Sequence, residues 1–252
     1  MTKEFSGKTV LVTGATGGIG EATCIAYAHA GARVIVHYRS DAPAAKRLVA
    51  KLNRISKGNI AVYADLGKRD DITALFAAVK KIGRLDVLVN NAGYCPKNGF
   101  LDIPYDELDR VMKVNFYAPF ICAQEAAKIM KKGSSIVFIA SVDGYHPGTM
   151  RSHYGASKAA ELNLVRNAAL ELADRGIRVN AVAPGAIDTP MTGAVTKDKK
   201  RLAHVNNGIA MHRFGTPKEI ADAVVFLASN GASYTTGSVL TVDGGLTLVR
   251  GY

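Results

Sequence analysis

The chain has 252 residues, 48% of them hydrophobic and 21% charged, and a formal net charge of +11. That length suits one large α/β domain, and the composition excludes a disordered or fibrous chain. No apolar run approaches the ~20 residues of a membrane helix, and no basic stretch is interleaved with aromatic residues as a nucleic-acid surface would be.

Strand-like and helix-like segments alternate in chain order. Lys8–Thr13 (KTVLVT) predicts a strand. A glycine-rich turn follows, then a helix over Ile19–Ala30 closed by Gly31. Arg33–Tyr38 predicts a strand, Ala42–Ser56 a helix, Ile60–Ala64 a strand, Asp70–Ile82 a helix and Leu85–Val89 a strand. One long helical region is expected over Tyr105–Lys131, then a strand over Ser135–Ala140 and a long helix over His153–Asp174. Ile177–Val182 predicts a strand, Lys218–Ser229 a helix and Val239–Val242 a last strand.

Strands apolar on both faces, alternating with helices, imply a parallel sheet covered on both sides. The expected fold is therefore an α/β, Rossmann-like, doubly wound parallel sheet of about seven strands, with 1–252 as one domain. The least regular stretch, Ala186–Thr216 with the charge run KDKKR at 197–201, is expected to be a substrate lid over the carboxyl edge of the sheet.

The first strand-to-helix turn reads TGATGGIG over Thr13–Gly20. Glycines at 14, 18 and 20 allow a tight turn and let backbone N–H groups approach a pyrophosphate. At the end of the second strand a carboxylate would bind the ribose 2′-hydroxyl of NAD. Here Tyr38 is followed by Arg39 and Ser40, and Arg39 suits a 2′-phosphate, so NADP(H) is expected to be preferred, with NAD(H) possible. Asp41 is a nearby carboxylate within reach of a ribose. Tyr154 and Lys158 are four apart on a helix and share a face, and Ser141 directly follows the fifth strand. Carbonyl reduction needs a proton donor for the developing alkoxide. An ammonium beside a tyrosine lowers its pKa and makes it a better donor, and a hydroxyl such as Ser141 can orient the substrate oxygen.

These residues resemble the short-chain dehydrogenase/reductase family. The resemblance rests on TGATGGIG, Asp65-Leu66, NNAG at 90–93, Asn115, Ser141, Tyr154-x-x-x-Lys158, Pro184-Gly185 and DGG at 243–245, and covers nearly the whole chain. It implies a catalytic set of Asn115, Ser141, Tyr154 and Lys158, with Asn115 holding a water linked to Lys158. It also implies a cofactor site of Gly14, Thr16, Gly17, Gly18, Ile19, Arg39, Ser40, Asp65, Leu66, Asn91, Ala92, Gly93, Tyr154, Lys158, Pro184, Gly185, Ile187 and Thr189. Relatives that use NADP often carry a basic residue where Gly17 stands, which leaves the NADP preference to Arg39.

The first expectation is a ketone or β-ketoacyl reductase. The alternatives are a polyol or sugar dehydrogenase, and a catalytically silent NADP-binding protein. An acidic acyl carrier protein would need a basic landing patch near the mouth of the site, for which Lys128, Lys131, Lys132 and Arg175 are candidates. Tyr94, Cys95, Asp143, His146 and His153 are expected to line the substrate pocket. The resemblance further implies a homotetramer or homodimer. No Cys/His cluster has metal-ligand spacing, so no metal is expected. The polar start, with no signal-peptide pattern, and three scattered cysteines, Cys24, Cys95 and Cys122, predict a cytoplasmic protein with reduced thiols.

Overall fold

The computed structural model describes residues 3–249. Its seven strands are β1 (Thr9–Val12), β2 (Arg33–Tyr38), β3 (Ile60–Tyr63), β4 (Val87–Asn90), β5 (Ser135–Ile139), β6 (Arg178–Pro184) and β7 (Val239–Val242). They form one sheet in the order β3-β2-β1-β4-β5-β6-β7, and every neighbouring pair is parallel. The chain runs outward from β1 to β3, then returns to lay β4 beside β1. That reversal opens a crevice at the carboxyl ends of β1 and β4.

Alternation along the strands sends side chains into two separate cores. Val10, Val12, Val34, Val36 and Val89 pack with Tyr27 of α1 (Gly18–His29), Leu48 of α2 (Ala42–Asn53) and a last long helix, Pro217–Ala228, through Val224. Leu11, Ile35, Leu88, Ile136 and Phe138 face the other way. They meet Leu75 of α3 (Arg69–Lys81), then Cys122 and Val165 on two further helices.

The long helical region expected over 105–131 is interrupted. Helix α4 (Tyr105–Met112) passes into a π-helical turn at Lys113–Tyr117, and α5 (Ala118–Ile129) follows. Pro119 has no N–H to donate to the carbonyl four residues back, that of Asn115, so the regular ladder lapses there. Helix α6 (Ser152–Leu172) then packs on both α4 and the π-helical turn.

The segment 186–216 holds more structure than its irregular pattern predicts. After a short 3₁₀ turn at Pro190–Thr192 come α7 (Gly193–Thr196) and α8 (Lys199–Asn207). Asp198 caps α8 by accepting the N–H groups of Lys200 at 3.0 Å and Arg201 at 3.2 Å. The charge run is thus the start of a helix. A bridge between Ile187 and Gly215 ties the two ends of the segment together. The final helix, Pro217–Ala228, is α9. It opens on a capping box between Thr216 and Glu219.

Candidate active site

Backbone geometry at the first turn shapes the floor of the crevice. Gly14 has φ +59°, and a Cβ there would stand 2.9 Å from the Ala92 Cα, so only glycine fits without strain. Asn91 clamps the turn. Its Nδ2 donates to the carbonyls of Thr13 at 2.8 Å and Gly14 at 3.0 Å, and its own N–H donates to Thr13 Oγ1.

His37, which sequence reasoning missed, completes this clamp. Its Nδ1 accepts the Gly14 N–H at 2.9 Å and its Nε2 faces the Ala64 carbonyl at 3.0 Å. The first contact requires Nδ1 to be unprotonated, so the proton sits on Nε2. Burial holds the ring below its ordinary pKa of 6.5. The signal was a lone imidazole directly after the apolar run Val34–Val36 of β2.

A depressed folded-state pKa makes His37 destabilising in acid. The unfolded chain takes up a proton near pH 6.5 and the folded chain only below that, so stability is full above 6.5 and declines as the pH falls towards the folded value. We expect the wild-type Tm to drop between pH 6.5 and 5 by more than that of His37→Gln, which has no titrating ring. The loss is at most about 1.4 kcal/mol per pH unit. Parallel Tm curves measured by calorimetry would show that His37 is not the group responsible.

A cleft of about 430 Å³ runs along the carboxyl edge. It is lined by Gly14, Thr16, Gly17, Gly18 and Ile19 at one end, and by Arg39, Ser40, Asp65 and Leu66 beside β2 and β3. Asn91, Ala92, Gly93 and Tyr94 lie beyond β4, and Ser141, Tyr154, Lys158, Pro184, Gly185, Ile187 and Thr189 close the other end. Residues 190–192 of the intervening segment also line it. Arg39 is exposed at the end of β2. Asp41 does not join it at the cleft, because its Oδ1 accepts the Ala44 N–H at 2.8 Å and caps α2.

At the far end, Ser141 follows β5 and its Oγ accepts the Asp143 N–H at 3.1 Å. Tyr154, nearly buried on the first turns of α6, lies beside it. Burial pushes the Tyr154 phenol well above its ordinary value, and Cys95, Asp143 and Glu161 push it further. The Ser141 hydroxyl is the strongest influence pulling it down. Lys158 is also buried. Its Nζ donates to the Ile139 carbonyl at 2.8 Å and to Glu161 Oε2 at 2.7 Å, and lies 5.9 Å from the Tyr154 ring centroid.

Asn115 sits in the π-helical turn, fully buried behind the cleft. Its Oδ1 accepts the Tyr94 N–H at 2.8 Å, and its Nδ2 donates to the Tyr94 carbonyl at 2.9 Å and to Ser157 Oγ at 3.1 Å. Ser157 in turn donates to the Tyr154 carbonyl at 2.7 Å. The Asn115 side chain thus fixes the loop after β4 against α6.

The five expected pocket residues divide. Tyr94 lines the cleft, with Arg110 stacked 4.6 Å from its ring centroid. Cys95 and Asp143 lie close enough to act on the Tyr154 phenol. Asp143 is paired with Arg151 at 3.1 Å, a partner that the spacing did not reveal. His146 acts on Asp143 and does not line the cleft. His153 does not line it either: its Nε2 meets Glu107 Oε1 at 3.1 Å and ties α6 to α4. Adjacent positions on a helix point about 100° apart, so a residue next to Tyr154 cannot share its face.

The basic candidates are also separated from the mouth. Lys132 lines a different hollow with Lys8, Asp86 and Arg178, at the amino edge of the sheet. Arg175, just after α6, donates to the Ala127 carbonyl at 2.6 Å. Helices that run antiparallel to the strands end at the edge opposite the cleft, so within one chain these cations do not rim it.

A family model described as Enoyl-(Acyl carrier protein) reductase matches residues 14–247. Glucose 1-dehydrogenase of Gluconobacter oxydans (strain 621H) is 42% identical over 252 aligned residues, covering 97% of this chain and 93% of that protein. L-rhamnose 1-dehydrogenase (NAD(P)(+)) of Sphingomonas sp. (strain SKA58) is 39% identical over 249 residues, covering 97% and 98%. The solved Pseudomonas aeruginosa RhlG/NADP active-site complex superposes with a TM-score of 0.91 at 33% identity, over 98% of this chain and 99% of that one.

Proposed function

The chain belongs to the short-chain dehydrogenase/reductase family, and from that membership we propose an NADP(H)-dependent oxidoreductase that interconverts a secondary alcohol and its carbonyl, with Tyr154 as the acid/base. The observation that carries this reading is that Ser141, Tyr154 and Lys158 wall one end of the same cleft whose other end is the glycine turn.

The glycine turn, which lines the cleft through Gly14, Gly17 and Gly18, and the open Arg39 beside Ser40 fit a phosphorylated dinucleotide. When bound, its nicotinamide supplies or takes the hydride. Arg39 and Ser40 hold the 2′-phosphate, Asp65 and Leu66 border the adenine, and Pro184, Gly185, Ile187 and Thr189 flank the nicotinamide end. Ser141 donates a hydrogen bond to the substrate oxygen. Tyr154 gives that oxygen a proton in reduction and takes it back in oxidation. Lys158 holds the ribose, and Asn115 keeps the loop after β4 in place. The 186–216 segment, tied at both ends, serves as the lid. The exposed Tyr105, Tyr117 and Phe120 on the α4–α5 face suit self-association as a homodimer or homotetramer.

For the substrate we favour a sugar or polyol oxidised at a hydroxyl. Two sugar 1-dehydrogenases are similar over nearly the full chain, and the ionic Asp143–Arg151 pair beside Tyr154 suits a hydroxylated substrate better than an acyl chain. The second reading, a β-ketoacyl thioester on a carrier protein, draws on the description of the matching family model. NADP⁺ and NAD⁺ reduction with aldoses and polyols should be compared with NADPH oxidation by β-ketoacyl thioesters, α-diketones and quinones. We expect turnover with the hydroxylated compounds and a higher kcat/KM with NADP⁺. Turnover confined to the thioesters would replace the first substrate by the second. NADP(H) binding without turnover of any compound would make the protein a silent binder.

A further inference from the structure

Lys158 has a partner that the proposed chemistry does not use. Glu161 lies one turn along α6, 1% exposed, with Lys158 itself 3% exposed. Their 2.7 Å contact and the 2.8 Å bond from Lys158 to the Ile139 carbonyl use two of the three N–H groups of the ammonium. We propose that Glu161 is a positioning residue of this reaction: it anchors Lys158 so that a single N–H remains free towards the cleft, and it shares the lysine charge that faces Tyr154.

A carboxylate as enclosed as Glu161 needs a counter-ion. Among the described residues, Lys158 is the charged group that acts on it. The i,i+3 spacing on a long helix keeps the two in reach. To Tyr154 the pair presents a dipole instead of a full positive charge, and Glu161 is among the groups that push its phenol up. The other groups facing Tyr154 come from three elements. Cys95, with Lys97 behind it, belongs to the connection after β4. Asp143, with Arg151 and His146 around it, and the Ser141 hydroxyl belong to the connection after β5. The uncharged Asn115 amide, in the π-helical turn, reaches Tyr154 through Ser157. None of these is altered by replacing Glu161.

The role given to Glu161 rests on Tyr154 being the acid/base. Its test is the pH profile of kcat/KM for alcohol oxidation in wild type, Glu161→Gln and Glu161→Asp. Oxidation needs the phenolate, so the rate rises with pH. Gln keeps an acceptor for Lys158 but removes the negative charge, which favours the phenolate. The rising limb should therefore move to lower pH by about one unit, roughly tenfold in relative rate on its acid side. Asp, which keeps the charge, should leave the limb near that of wild type. An unmoved limb in Glu161→Gln, or a uniform loss of rate at every pH, overturns the proposal.

A second measurement does not depend on that variant folding. The ultraviolet tyrosinate titration of the ligand-free wild type, minus that of Tyr154→Phe, should place the Tyr154 phenol above the ~10 of a free tyrosine. A value below that overturns the proposal as well. The acid/base reading fails separately, if Tyr154→Phe keeps its turnover.

Discussion

Replacing Tyr154 with Phe is expected to lower kcat/KM about 10²- to 10⁴-fold in both directions, the usual worth of a positioned proton donor. That corresponds to about 3–5 kcal/mol of barrier. Phenylalanine keeps the ring where Tyr154 packs, nearly buried at the start of α6, and removes only the hydroxyl beside Ser141. Cofactor affinity should stay within about twofold, because the glycine turn, Asn91 and His37 are untouched. Steady-state kinetics with NADP⁺ and NADPH, together with fluorescence titration of NADPH, separate the two effects. If hydride transfer survives within about tenfold, the proton comes from another group and the role assigned to Tyr154 is wrong.

Arg39→Asp is expected to reverse the cofactor preference. Arg39 is the basic residue at the end of β2 that lines the cleft, and Gly17 offers no second cation in the first turn. Removing a charge-assisted fork to a 2′-phosphate costs roughly 10- to 100-fold. Placing a carboxylate there adds repulsion for the phosphate and an acceptor for the 2′-hydroxyl of NAD. The NADP/NAD ratio of kcat/KM should therefore fall by roughly 10²-fold or more. Asp41 does not supply that acceptor in the wild type, since its carboxylate already caps α2. A ratio that moves by less than about threefold would assign 2′-phosphate recognition to other groups.

The segments that proved easiest to anticipate are those where one physical demand leaves few alternatives. A parallel strand buried on both faces must be apolar through its centre, as in the VLV of KTVLVT and the IVFI of SIVFIA. A turn that brings backbone to within contact of Ala92 must carry glycine, as at Gly14. The break in the long helical region was less visible. It depends on whether the carbonyl left free by Pro119 is absorbed by a kink, a cap or a wider turn, and packing of α6 decides that.

Local rules were enough to set the alternation of strands and helices, the glycine turn, and the placing of Tyr154 and Lys158 on one helix face. Backbone sterics, hydrophobic periodicity and the helical repeat are all written in the order of residues. Which way the remaining polar groups face came from packing across the fold. It paired Asp143 with Arg151, aimed His153 at Glu107 and moved Lys132 and Arg175 to the opposite edge. It also buried Glu161 against Lys158. In the sequence that pair is an ordinary i,i+3 spacing of the kind that covers solvated helices. What makes it different is the exclusion of water around it, a property of the packed chain that no spacing records.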